Sequence, residues 1–221
     1  PAVFVMSEDM SEERRAILRA YGAQLILTPA DRGTVGAIEE ARRLERDRGY
    51  FFVGQHFNPA NPAAHHQTAN EIVDDFGQEL GAVICTTGTG GTISGLSTVL
   101  RELIPGLTII ATEPDVSPIL TKGIACKHRI MGTAPGFIPE TLDQNAYDHV
   151  ISVNADEAIT ITRKLAEHEG IFCGISCGAA VVGMLEYAAR NAAKGQQLLA
   201  ILPDTGERYL STELWNSSAQ V

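Results

Sequence analysis

Five residues, Gly88-Thr89-Gly90-Gly91-Thr92, have the types and spacing to bind an anion. They follow the apolar run Ala82-Val-Ile-Cys-Thr86 and precede Ile93, Leu96, Leu100 and Leu103, which recur at helical spacing until Pro105-Gly106. A strand, a glycine turn and a helix start leave the first-turn N–H groups without intrahelical partners, and the helix dipole favours negative charge there. The Thr89 and Thr92 hydroxyls add donors, and glycine lets a phosphate come close to the backbone. Two nucleotide readings fit badly. Ile93 stands where a dinucleotide-binding turn needs its third glycine, and Glu113 is a weak ribose partner. No Gly-Lys-Ser/Thr follows, as a nucleotide P-loop requires. A small phosphate monoester held without lysine is what remains, against the simpler reading in which the glycines only permit tight packing.

Ser176, in Gly174-Ile-Ser-Cys-Gly-Ala-Ala180, reads as the cap of a helix that opens on small residues. Its neighbour Cys177 would have its thiol pKa lowered at a helix N-terminus, weighed against the inertness of most small buried cysteines. Gln55 reads as a polar loop residue. His65 and His66 are adjacent and cannot share one helical face, so with no carboxylate arrangement nearby metal binding is not expected.

The elements that must position these groups follow from periodicity. Ala2 to Met6, Gln24 to Thr28 and Tyr50 to Val53 read as strands. Between them, Ser11 caps a helix with Ile17, Leu18 and Tyr21 inward, and Val35, Ile38, Ala41 and Leu44 mark another. The run Glu39 to Arg48 reads as a solvated face with pairs such as Glu39–Arg43. This alternation implies a parallel sheet. Gln55-His-Phe-Asn-Pro-Ala-Asn-Pro62 reads as a linker, followed by a helix on Ala69, Ile72, Val73 and Phe76 that ends at Gly77. Strands are expected at 107–112, 149–153 and 198–202, with an irregular stretch from Glu113 to Tyr147. Asn154 with Glu157 resembles a capping box for a helix carrying Ala158, Ile161 and Leu165 inward.

Composition bounds the function. With 221 residues, 44% of them hydrophobic and 20% charged, the chain can bury a core of one domain or somewhat more. A formal net charge of −10 argues against nucleic acid or an anionic membrane as partner. No apolar run approaches the roughly 20 residues of a membrane span. Cys85, Cys126, Cys173 and Cys177 form no Cys-x-x-Cys pair, which makes a reducing cytoplasm the default. The chain opens at Pro1 and runs at once into an apolar strand, which we read as a cut start.

Six motifs carry a resemblance in order along the chain: Met10-Ser-Glu-Glu-Arg-Arg15, Gln55 with Asn58-Pro-Ala-Asn-Pro62, Gly88 to Thr92, Gly136-Phe-Ile-Pro139, Gly174 to Ala180, and Gly206-Glu-Arg-Tyr-Leu-Ser-Thr212. Together they resemble the cysteine synthases (O-acetylserine sulfhydrylases), pyridoxal-phosphate enzymes of fold type II. The resemblance implies a three-layer α/β parallel-sheet fold lacking its N-terminal part. Residues 1–57 would be the latter half of a small mobile lobe and 58–221 a large cofactor-binding lobe. It implies that Gly88, Thr89, Gly90, Gly91 and Thr92 cup the cofactor phosphate, that the Ser176 hydroxyl lies against the pyridine nitrogen, and that Gln55 contacts substrate. A neutral serine makes the ring a weaker electron sink, suited to β-replacement of O-acetylserine by sulfide. His56 stands where the family has Phe or Tyr, and Cys177 replaces a common Ser.

The family's Schiff-base lysine and its substrate-carboxylate loop lie upstream of the match. The four lysines here are Lys122, Lys127, Lys164 and Lys194, none in the family's Ser-x-Lys setting. No catalytic residue is therefore expected to be retained, and covalent attachment of the cofactor is not expected. The resemblance also implies a homodimer, or an altered self-association surface where family strands are missing. The alternative is a non-catalytic truncated homologue that binds phosphate or the C-terminal tail of serine acetyltransferase.

Overall fold

The computed structural model describes residues 1–191 and 195–216, so Lys194 lies outside the described residues. Two compact units divide the chain, Pro1–Val53 with Thr205–Val221, and Gly54–Asp204. The sequence-based lobes break at 57/58 and keep the C-terminal segment with the larger part, whereas these units break at 53/54 and group that segment with the N-terminal residues.

In the first unit, β1 (Val3–Ser7) and β2 (Gln24–Thr28) pair in parallel, and α1 (Glu12–Ala20) connects them ahead of α2 (Gly33–Arg48). The C-terminal segment is tied to α1. The Ser11 hydroxyl donates to the Arg208 carbonyl at 2.6 Å, and Glu13 accepts from both the N–H and the hydroxyl of Ser211. Several expectations fail here. Tyr50 to Val53 forms no strand, and Phe51 is 86% exposed. Aromatic and β-branched residues suit a strand, but a ladder partner decides whether one forms. Ile17 and Tyr21 are exposed and α1 buries no residue, while on α2 Val35 is exposed and Leu44 is buried. Arg43 pairs with Glu40 and Asp47, and Glu39 pairs with Arg32 instead of Arg43.

The second unit holds the site. Its elements are α3 (Ala60–Phe76), β3 (Leu80–Thr86), α4 (Gly91–Leu103), β4 (Thr108–Pro114), the short α5 (Ile119–Lys122), β5 (His149–Val153), α6 (Ala155–Glu169), α7 (Ile175–Asn191) and β6 (Gln197–Ala200). The four strands form one parallel sheet in the order β5-β4-β3-β6. Alternate residues face opposite ways. Val83, Cys85, Ile109 and Ala111 join Ala69, Ile72, Ile93, Leu96 and Leu100 of α3 and α4 in one core. On the other face Gly183 of α7 lies so close that an added Cβ would sit 2.6 Å from Thr112 Cγ2. With both faces covered, β3 reads as an unbroken apolar run rather than an alternating one.

Helix α3 starts at Ala60, inside the stretch expected to be a linker. Pro62 sits in its first turn, where the missing N–H has no intrahelical bond to lose. Leu103, placed on the inner face of α4 by spacing, is exposed because the helix ends there. On α6 the buried residues are Ala158, Ile159 and Thr162, a face rotated from the expected one, and Ile161 and Leu165 are half-buried. Within the irregular stretch, the buried Glu113 carboxylate accepts from Leu120 N–H at 2.8 Å and from the Thr121 hydroxyl, anchoring α5.

Candidate functional site

Strand β3 delivers the glycine turn to the C-terminal edge of the sheet. The Thr87 hydroxyl donates to the Thr112 carbonyl at 3.1 Å, and the Thr87 carbonyl accepts from Ala134 N–H at 2.9 Å. Gly90 then turns in the left-handed region, φ +77°, where its missing side chain matters twice, since a Cβ would also strike Leu142. Gly91 begins α4 against the Asn61 amide, and a Cβ on Gly88 would strike the Gly132 carbonyl. Packing thus forbids side chains at three of the five positions, and the backbone is left bare.

Donors converge on this turn. The N–H groups of Gly88, Thr89 and Gly90 have no acceptor among the described residues. The Thr89 hydroxyl oxygen accepts from Asn61 Nδ2 at 3.0 Å and from Gly91 N–H at 3.2 Å, which leaves its own proton to donate. The Thr89 carbonyl is held by the Thr141 hydroxyl at 2.7 Å. The Thr92 hydroxyl lies 3.1 Å from His65 Nε2 on α3. Burial pushes the His65 pKa down, and the turn itself contains no lysine or arginine. The same Asn61 amide donates to the Gln55 carbonyl at 2.8 Å, tying Gln55 to the turn by its backbone while its side chain is exposed.

Ser176 sits in the first turn of α7, buried, with no hydrogen-bond partner for its hydroxyl among the described residues. That turn is pinned by Asp204, whose carbonyl accepts from Gly174 N–H at 3.4 Å. Asp204 follows β6, and β6 lies beside β3, so Ser176 and the glycine turn sit at the C-terminal ends of neighbouring strands. The chain runs outward from β3 to β4 and β5 and returns to β6 on the opposite side. That reversal is the switch point at which parallel α/β sheets bind ligands.

Cys177 corrects an expectation. Its thiol pKa is raised, not lowered, by the hydrogen bond with Cys173 and by burial. The effect of the helix end is outweighed by the bond to Cys173 and by burial, while the thiol also donates to the Asp204 carbonyl at 3.5 Å. Cys85 is likewise inert, pushed up to about 12 by burial, whereas Cys126 is exposed. His56 is buried against Phe137, ring centroids 5.3 Å apart, and its carbonyl accepts from Thr141 N–H at 3.3 Å. It therefore packs its loop onto the Gly136-Phe-Ile-Pro139 segment. Lys122, Lys127 and Lys164 are exposed. Among the described residues no group of three or more His, Cys, Asp or Glu is placed to hold a metal ion, and no helix is long and apolar enough to cross a membrane.

Sequence reasoning missed Asn61, Thr141 and the role of His65. Asn61 and His65 lie four residues apart at the start of α3, the spacing that aligns two side chains, but Asn61 falls in the Gln55–Pro62 stretch that reads as a linker. Thr141 carries no local signal.

Comparison with known proteins gives the chain a family. A family profile described as pyridoxal-phosphate dependent enzyme matches residues 1–204. The chain is 44% identical over 217 residues to a Staphylococcus aureus cysteine synthase, a match covering 97% of this chain and 70% of that relative. Among solved structures, an O-ureido-L-serine synthase superposes with a TM-score of 0.93 at 41% identity, covering 99% of this chain and 70% of the other. A cysteine synthase from Entamoeba histolytica gives 0.91 at 39% identity, covering 97% and 64%. The architecture is that of fold type II, the cofactor of the family is pyridoxal phosphate, and the chain belongs to the pyridoxal-phosphate dependent enzyme family.

Proposed function

We propose that this chain carries the cofactor-phosphate site of a cysteine synthase, an enzyme that replaces the acetoxy group of O-acetylserine with sulfide. The observation that carries the reading is the bare turn Gly88–Thr92, where three N–H groups have no acceptor among the described residues and the Thr89 hydroxyl keeps its proton to donate. The residues fit pyridoxal phosphate. Gly88, Thr89, Gly90, Gly91 and Thr92 would hold the phosphate, and the unpartnered Ser176 hydroxyl would meet the ring nitrogen. Gln55 would contact the amino-acid substrate. When bound, the cofactor supplies an electron sink for the α-carbon, which lets the β-substituent leave and sulfide take its place. Residues 1–57 would act as the mobile lobe and 58–221 as the cofactor lobe.

Among the described residues no lysine makes a hydrogen bond or ion pair with the Gly88–Thr92 turn, which supports non-covalent retention of the cofactor by these residues. Absorbance with added pyridoxal phosphate, followed by dialysis, tests this. Saturable binding reversed by dialysis is expected, and no borohydride-fixed adduct. An adduct mapped to any lysine of the chain would overturn the non-covalent reading, and absence of any binding would overturn the site. The unpaired cysteines favour a cytoplasmic location. Exposed Phe51, Tyr21 and Val53 beside a sheet of only two strands support self-association of the chain as a dimer or larger species. Light scattering at micromolar concentration should exceed the monomer mass, and a monomer would refute it.

A further inference from the structure

The turn that presses on Gly88 contains two local irregularities. Ala134 has φ +38°, a conformation that non-glycine residues rarely adopt. His128 has its Nδ1 buried without a hydrogen-bond partner. A chain tolerates such features where the surrounding structure holds them in place.

One hydrogen-bond chain links both to the phosphate cup. The Ala134 N–H donates to the Thr87 carbonyl at 2.9 Å, immediately before Gly88. The Ala134 carbonyl lies 3.2 Å from His128 Nε2. A carbonyl only accepts, so Nε2 carries the proton and donates it to the Ala134 carbonyl. Between these two residues the Gly132 carbonyl occupies the space a Gly88 side chain would need. The Thr133 hydroxyl closes the turn on the Ile130 carbonyl at 2.7 Å.

We propose that His128 is a positioning residue for the phosphate cup. Its Nε2–H holds the left-handed Ala134 turn, which sets the Gly132 carbonyl and the Thr87 carbonyl around Gly88 and so aims the free Gly88 N–H. The consequence for ligand affinity rests on the reading of the cup as a phosphate site. The positioning itself does not.

The test uses the full chain, without and with pyridoxal phosphate. His128→Leu removes the donor, His128→Gln keeps an N–H of similar reach, and Ala134→Gly makes the left-handed turn easy without the brace. In amide NMR spectra of the ligand-free chain, H128L should move the Gly88 resonance, while H128Q leaves it close to its original position. Equilibrium dialysis should show affinity for pyridoxal phosphate reduced about tenfold in H128L, the scale of one hydrogen bond's influence. H128Q, and H128L combined with A134G, should recover most of it. An unmoved Gly88 resonance in H128L overturns the proposal, as does H128Q behaving like H128L. If the unaltered chain binds no pyridoxal phosphate, the cup reading fails, and the Gly88 resonance still decides the role of His128.

Discussion

Helices α4 and α6 begin in opposite ways. At α6, Asn154 accepts from Asp156 N–H at 2.9 Å, and Asp156 and Glu157 place negative charge in the first turn. That end is closed by its own residues. At α4, Gly90 makes no side-chain cap, the first turn contains no acid, and the preceding N–H groups lack acceptors among the described residues. Capping is worth about 1 kcal/mol to a helix. Side-chain caps are missing at α1, α2 and α3 too, so a missing cap alone marks nothing; at α4 it falls directly after β3, and α4 is held by α3 and the sheet instead. A capped start is a structural feature, and an uncapped one at a sheet switch point is a binding feature.

Converting one start into the other should give the largest effect. Thr92→Asp places an acid in the first turn of α4, as α6 has. It should lower affinity for pyridoxal phosphate at least about tenfold by like-charge repulsion, while helix stability is kept or gains about 0.3–1 kcal/mol from the dipole. Dialysis and thermal unfolding read the two separately. A loss of both would show that the open start is also structural. Next, Gly91→Ala pushes the Asn61 amide aside, breaking its bonds to Thr89 and Gln55. Overpacking of this kind costs about 1–3 kcal/mol, measurable by urea titration, and affinity should fall with it. Asn154→Ala at the closed start should cost about 1 kcal/mol and leave affinity unchanged.

The smallest effect concerns pH. Burial lowers the His65 pKa in the folded chain, so the unfolded chain takes up a proton first as pH falls. The stability of the neutral form is complete above the ordinary value of 6.5 and declines below it. His65→Asn keeps a side-chain donor near Thr92 but does not titrate, so its melting temperature should fall less between pH 7.5 and 5. Some decline should remain, because burial lowers the His56 pKa in the same direction. Parallel curves for the two proteins would refute the assignment.

The open start was legible in sequence because its signal is local. Glycines, hydroxyls and a flanking strand and helix lie in one continuous stretch from Leu80 to Leu103, with the strand and helix where periodicity expects them. The groups that brace the turn were not legible, because Asn61, Thr141 and Ala134 reach it from 28 to 52 residues away, or through a loop without periodicity. Tyr50–Val53 shows the converse failure. Its residues have strand character, but whether a neighbour pairs with them is a tertiary fact that composition does not contain.

The unequal fates of the thiols have a practical consequence. Cys85, Cys173 and Cys177 are buried, and Cys126 alone among the cysteines is exposed, its N–H fixed by the Ser117 hydroxyl at 3.0 Å. A maleimide dye applied to the folded chain will therefore label one position, on the same irregular stretch that braces the glycine turn. Without a reducing agent, the same sulfur is where two molecules will crosslink on storage.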